Sequence, residues 1–232
     1  MESFPLGCFV LIGVLVIAGA IYAHYAAQRR QRALAAWAAA RGWSFSARRI
    51  DHWDRLFPGF ECLAKGHRRY AFNLGEGRLG QWPVRTFDYH YETYSQSKHG
   101  RQTHHHYFSG VIVTTGLPLR PLFIRPEGFF DKVTEFLGYD DIDFESDEFS
   151  RRFYVKAPDR RWAYDVISQP TMEFLLANPR FTLQFHGTSV IAYRGKTFEI
   201  PEFEAAIGLI QGILERLPSS LVRELREGRP PA

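Results

Sequence analysis

The stretch from Leu6 to Ala27 constrains this 232-residue chain more than any other. No charged side chain occurs from Ser3 to Tyr22, and the run Cys8-Phe9-Val10-Leu11-Ile12-Gly13-Val14-Leu15-Val16-Ile17 is apolar on every side of a helix. A helix of that kind must be enclosed by protein or lipid, because it keeps no polar face for water. Taken from Gly7 to Ala27 at about 1.5 Å per residue it rises about 31 Å, close to the ~30 Å of a bilayer's hydrocarbon core. The sequence therefore predicts a transmembrane helix over residues 6–27, preceded by a short extracytoplasmic N-terminus of residues 1–5.

The flanks set its direction. Residues 1–5 contain no Lys or Arg, whereas Arg29, Arg30 and Arg32 follow the span directly. Basic flanks stay on the cytoplasmic side, so the expectation is a single-pass inner-membrane protein with its C-terminal part in the cytoplasm. A cleaved signal peptide is the competing reading; Ala18-Gly19-Ala20 imitates a cleavage site, but the n-region is acidic. The helix is expected to continue as a basic juxtamembrane segment, residues 28–42, stopped by Gly42. Arg29, Arg30 and Arg32 are the candidate membrane-surface contacts, each worth about 1 kcal/mol against anionic headgroups.

About 200 residues remain, enough for one ample core or two small ones. Aromatics make up 16% of the chain, so the remainder should fold rather than trail as a tail. The formal net charge is only +4, and much of the basic excess sits beside the span. With no basic and aromatic stripe and no recognition motif, nucleic acid is not an expected partner. Cys8 and Cys62 make neither a disulfide framework nor a zinc site.

Residues 43–138 read as a β-rich lobe. Ile50 to Phe57 has helical spacing and suits a short helical lid, broken by Pro58-Gly59. Three strand-like runs follow, Cys62–Leu74, Pro83–Tyr94 and Thr103–Thr115, separated by Gly75-Glu76-Gly77 and by a polar tip from Ser95 to Gln102. Val111-Ile112-Val113 is apolar toward both faces and suits a central strand. Leu119–Arg125 suggests a further strand, and Phe129–Leu137 a short helix closed by Gly138.

Residues 139–217 read as an α+β lobe. Arg152–Lys156 suits a strand, Asp159 an N-cap, and Ser168 with Pro170 a helix start. Phe181, Leu183 and Phe185 alternate with polar residues as a strand, Gly187 and Gly195 are expected turns, and Pro201 opens a long helix carrying Phe203, Ala206, Ile207, Ile210, Leu214 and Leu217 on one stripe. Gly208 and Gly212 would let that helix approach the sheet. Residues 218–232 look like a polar tail, a frayed helix that passes into disorder. The fold class is thus α+β: an antiparallel sheet with helices on one face, either as one body or as two lobes joined near Gly138.

One phrase in this half carries a family likeness: Phe149-Ser150-Arg151-Arg152-Phe153, then Asp159-Arg160-Arg161 with Ala163-Tyr164-Asp165-Val166, then Pro170-Thr171-Met172-Glu173-Phe174-Leu175-Leu176. It resembles an uncharacterised family of bacterial, largely actinobacterial, membrane-anchored proteins with a domain of unknown function, over roughly residues 140–217. Arg125-Pro126-Glu127-Gly128 looks like that family too. The resemblance implies a membrane-tethered cytoplasmic domain and carries over no catalytic residue.

The candidate chemistry lies in the hairpin, where His90, His99, His104, His105 and His106 accompany several tyrosines and Glu92. With a suitable register, His90, Glu92, His104 and His106 would share one face and offer nitrogen and oxygen ligands to zinc or another transition metal. A slip of one residue destroys the set. The simplest reading is a solvated hairpin whose polar residues keep an exposed end soluble, and a pH-dependent switch is a further alternative. Asp143, Glu145 and Asp147 alternate as a solvated acidic edge and lack the glycine turn of a calcium loop. No nucleophile elbow, P-loop, dinucleotide fingerprint or zinc-protease motif occurs. These observations point to a non-catalytic module that binds membrane lipid and another protein, or senses a ligand, without a cofactor. A membrane-bound metal-dependent hydrolase using the hairpin is the alternative.

Overall fold

The computed structural model describes residues 6–97, 100–128 and 142–227. The helix expected over Phe129–Leu137, its closing Gly138, and His99 lie outside them.

Helix α1 runs unbroken over Leu6–Ala40, so the apolar span and the basic segment are one rod. Gly42 ends it at φ +68°, a left-handed conformation that costs glycine nothing. The Trp43 amide donates to the Ala38 carbonyl at 2.9 Å and the Gly42 amide to Ala39 at 3.0 Å, while Trp43 packs edge-on against Trp37. This is a Schellman cap with its accompanying apolar contact.

The strands are β1 (Ser44–Ser46), β2 (Ile50–Asp51), β3 (His67–Leu79), β4 (Trp82–Ser97), β5 (Gly100–Pro126), β6 (Phe153–Lys156) and β7 (Thr182–Arg194). They form one antiparallel sheet in the order β1-β3-β4-β5-β6, with β2 also on β3 and β7 also on β5. Val113 pairs with both Val84 and Val190, and Ile124 with both Val155 and Leu183. A strand has two edges, so β7 lines one edge of β5, and β6 takes over the other where β4 leaves it. The sheet therefore crosses the boundary foreseen near Gly138, and strands from both supposed lobes share one core.

The remaining helices are α2 (Trp53–Leu56), α3 (Glu61–Ala64), α4 (Asp147–Ser150), α5 (Arg160–Val166), α6 (Gln169–Ala177), α7 (Ile200–Glu215) and α8 (Ser219–Glu227). One face of the sheet, with Val84, Val111, Val113, Phe185 and Val190, packs against α5 to α8 and against Leu34 of α1. The other face, with Phe87, Tyr89, Phe108, Ile112 and Ile191, is covered by Trp53 of α2, within the expected lid, and by Phe60 and Leu63 beyond its Pro58-Gly59 break. Val111-Ile112-Val113 is buried on both faces, as a central strand must be.

Several boundaries differ from the sequence reading. Cys62 lies in α3 rather than in a strand. Gly75 and Gly77 are inside β3: a Cβ on Gly77 would run into the Trp43 indole and one on Gly75 into Thr86, so the glycines admit neighbours rather than make a turn. Leu119–Arg125 continues β5, and Gly187 bends β7 instead of ending it. Gly116 and Gly187 both have positive φ, and the β5–β7 register shifts there, so the paired strands bend together. Gly212 makes room for the Phe174 ring of α6, whereas Gly208 faces open space. The helix expected after Pro218 runs over Ser219–Glu227, and it is not merely a frayed end, since it buries Leu221 and Leu225.

Candidate functional site

The β4–β5 hairpin closes with Ser97 opposite Gly100, which leaves two positions between them. From there every pair sums to an odd number: Glu92 faces His105, Thr93 faces His104, and Tyr91 faces His106. Even positions of β4 consequently share a face with odd positions of β5. His90 and Glu92 stand with His105 and Tyr107; His104 and His106 project from the opposite side, correcting the expected ligand set. There Thr93 Oγ1 and His106 Nε2 are 2.8 Å apart, Ser95 Oγ and His104 Nε2 likewise 2.8 Å, and His106 stacks on Tyr91. His105, which the sequence reading left out of the set, takes their place.

His90 is 2% exposed and Glu92 5%. His90 Nε2 faces His105 Nδ1 at 3.1 Å, and Glu92 Oε1 lies 3.7 Å from that same His105 atom. On its other side His90 Nδ1 donates to the Arg68 carbonyl at 3.3 Å. Arg68 sits at φ +47° where the β3–β4 register slips, and this irregularity accompanies the carbonyl's contact with His90. Tyr70 and Tyr107 pack against the His90 ring, and the Arg49 guanidinium lies over Tyr70 at 3.9 Å. Burial, together with nearby His105, holds His90 below the ordinary imidazole value.

Two residues along β4 from His90, a second polar constellation is centred on Asp88, 1% exposed. Arg30 of α1 donates to both carboxylate oxygens, from Nε at 3.0 Å and Nη2 at 2.8 Å. Asn73 Nδ2 donates at 2.8 Å and the Ser109 hydroxyl also donates, while Ser109 Oγ accepts from the Phe198 amide. A buried carboxylate with four donors is satisfied, so Asp88 is a fastening and not a reactive group. Arg30 is therefore committed to the protein rather than to the membrane surface. Arg29 and Arg32 are exposed. Farther along α1, Trp37 and Arg41 donate to Glu204 of α7, and these two hydrogen bonds hold its carboxyl below the usual range.

Trp43 covers Gly77, which pairs with Val84, while Arg30 reaches Asp88. Moving along α1 toward its apolar half thus accompanies moving along β4 toward the hairpin tip. The histidine cluster lies on the span side of the domain.

The other candidates are quieter. Asp143 and Glu145 are exposed and alternate with buried Ile142 and Phe144, while Ser146 caps α4 by accepting from the Phe149 amide. Cys62 is buried within the aromatic cluster under the lid.

No family model matches the chain, and no curated protein matches it. Among solved structures it is similar to the mycobacterial trehalose monomycolate transport factor A, with a TM-score of 0.55 and 10% identity over 81% of this chain and 96% of that one. The likeness is one of fold.

Proposed function

We propose that this chain is a single-pass inner-membrane protein whose sheet domain faces the cytoplasm and acts, without catalysis of its own, as an accessory module for another protein or a ligand. The observation that carries this reading is α1. Leu11, Ile12, Val14, Leu15, Val16, Ile17 and Ile21 are each 55–66% exposed around a helix that, among the described residues, nothing buries over this length. Moving each such side chain out of water is worth about 1.5–3 kcal/mol, and lipid is the natural cover for a helix apolar all round. Exposed Arg29 and Arg32 at its end suit the cytoplasmic headgroup layer.

A protein named for the transport of trehalose monomycolate shares the fold, which supports an accessory role. A hydrolase built on His90, Glu92, His104 and His106 loses support because those four residues stand on two faces. The test is alkaline carbonate extraction of the intact chain together with a topology reporter fused after Ala232. Retention in the pellet with cytoplasmic reporter activity is expected. Release into the wash, or periplasmic activity, overturns the proposal.

A further inference from the structure

We propose that His90, Glu92 and His105 form a binding site for one divalent transition-metal ion of the zinc class. The site goes beyond the anchored accessory role and does not depend on which side of a membrane the domain occupies.

Glu92 is the starting point. Its carboxylate is buried, yet its side-chain partners are distant: Tyr94 Oη at 3.3 Å, His105 Nδ1 at 3.7 Å and Arg68 Nη1 at 3.8 Å. Asp88, four residues before it on the same face, is bound by four close donors, so loose pairing is not a general property of this face. A buried carboxylate without tight partners attracts a cation.

The two imidazoles supply the rest. With Nδ1 donating to the Arg68 carbonyl, His90 keeps the lone pair of Nε2 directed at His105, the backbone orientation by which metal-ligating histidines are commonly fixed. One ligand atom from each residue lies within 4.8 Å of the others. Ligands held at about 2.0–2.1 Å in a tetrahedron stand about 3.3 Å from one another. The observed 3.1 Å and 3.7 Å bracket that spacing for two of the three ligand pairs, and the third pair lies within 4.8 Å. Two nitrogens and one oxygen are a donor set suited to zinc, with a fourth position left for water. His105 is 54% exposed along its side chain and gives the ion a way in. The Arg68 guanidinium, 74% exposed, opposes a cation, and the ion displaces it toward solvent.

The test uses the full chain in detergent without a polyhistidine tag, dialysed against chelator and titrated with zinc. Bound metal is counted per chain, and cobalt replaces zinc to report tetrahedral geometry by visible absorption. His105→Ala and Glu92→Gln probe the site; His104→Ala and His106→Ala, on the opposite face, are the controls. One zinc per chain in the parent and both controls is expected, with affinity at least tenfold lower in His105→Ala and Glu92→Gln and unchanged circular dichroism. Substoichiometric binding in the parent, or equal losses in the His104 and His106 variants, overturns the proposal.

Discussion

Replacing Arg30 by Met tests how firmly α1 is fastened to the sheet. The substitution keeps an unbranched apolar stem but removes both guanidinium hydrogen bonds to a carboxylate only 1% exposed. Stripping one partner from a buried ion pair costs about 3–5 kcal/mol. Arg30 is itself 24% exposed, so water can reach the gap, and Asn73 and Ser109 continue to donate to Asp88. Screening and these two donors reduce the expected loss to about 2–3 kcal/mol. For a domain of this size each kcal/mol is worth about 2–4 °C, which places the fall in Tm at roughly 4–12 °C. Tryptophan emission of the detergent-solubilised chain reads the transition, with Trp37 and Trp43 near the fastening end of α1. Asp88→Asn completes a double-mutant cycle: the double variant should lose less than the two singles added together, by about 1 kcal/mol or more. A Tm for Arg30→Met within about 1 °C of the parent, or strict additivity, would refute the view that this pair joins helix to sheet.

Two glycines of α7 should respond in opposite senses. Gly208→Ala meets nothing within 4 Å and should stabilise by about 0.5–1 kcal/mol through helix propensity, whereas Gly212→Ala drives a methyl into the Phe174 ring and should cost about 1–3 kcal/mol; thermal unfolding checks both. Glu202 gives a pH prediction. Burial alone would raise its pKa, but hydrogen bonds from Lys196 and the Glu199 amide, with Arg194 nearby, hold it below the usual glutamate value. A carboxyl depressed on folding adds stability above its unfolded value near pH 4.5, and that stability is lost as pH falls through the folded value. Glu202→Gln should therefore flatten the decline in unfolding free energy below about pH 4.5 and leave its slope near neutrality unchanged.

Local signals in the sequence reached as far as local forces did. The uninterrupted apolar run marks the rod, Gly42 its stop, Asp159 the cap of α5, and the alternation through Phe181–Phe185 a strand, because each is decided by residues within a turn or two. The role of Gly77 is invisible locally because the Trp43 indole that needs its missing side chain is 34 positions earlier, and that of Gly187 because its bend is shared with Gly116 on a paired strand. The hairpin histidines show the same boundary more sharply. Their identity pointed to metal chemistry, but the number of residues at the tip sets the parity, and parity decides that His105 rather than His104 or His106 stands with His90. Asp88 carried only one hint, an acid inside an apolar strand; its partner Arg30 lies 58 residues away.

The unbroken course of α1 has a mechanical consequence. With no joint between Leu6 and Ala40 and a clamp at Arg30, a twist of the apolar half is handed directly to the sheet, as a key turns the bolt it is cut into. One residue inserted between Ala27 and Arg30 would swing the whole body by about 100° and lift it about 1.5 Å, presenting a different flank of the domain to whatever stands beside it.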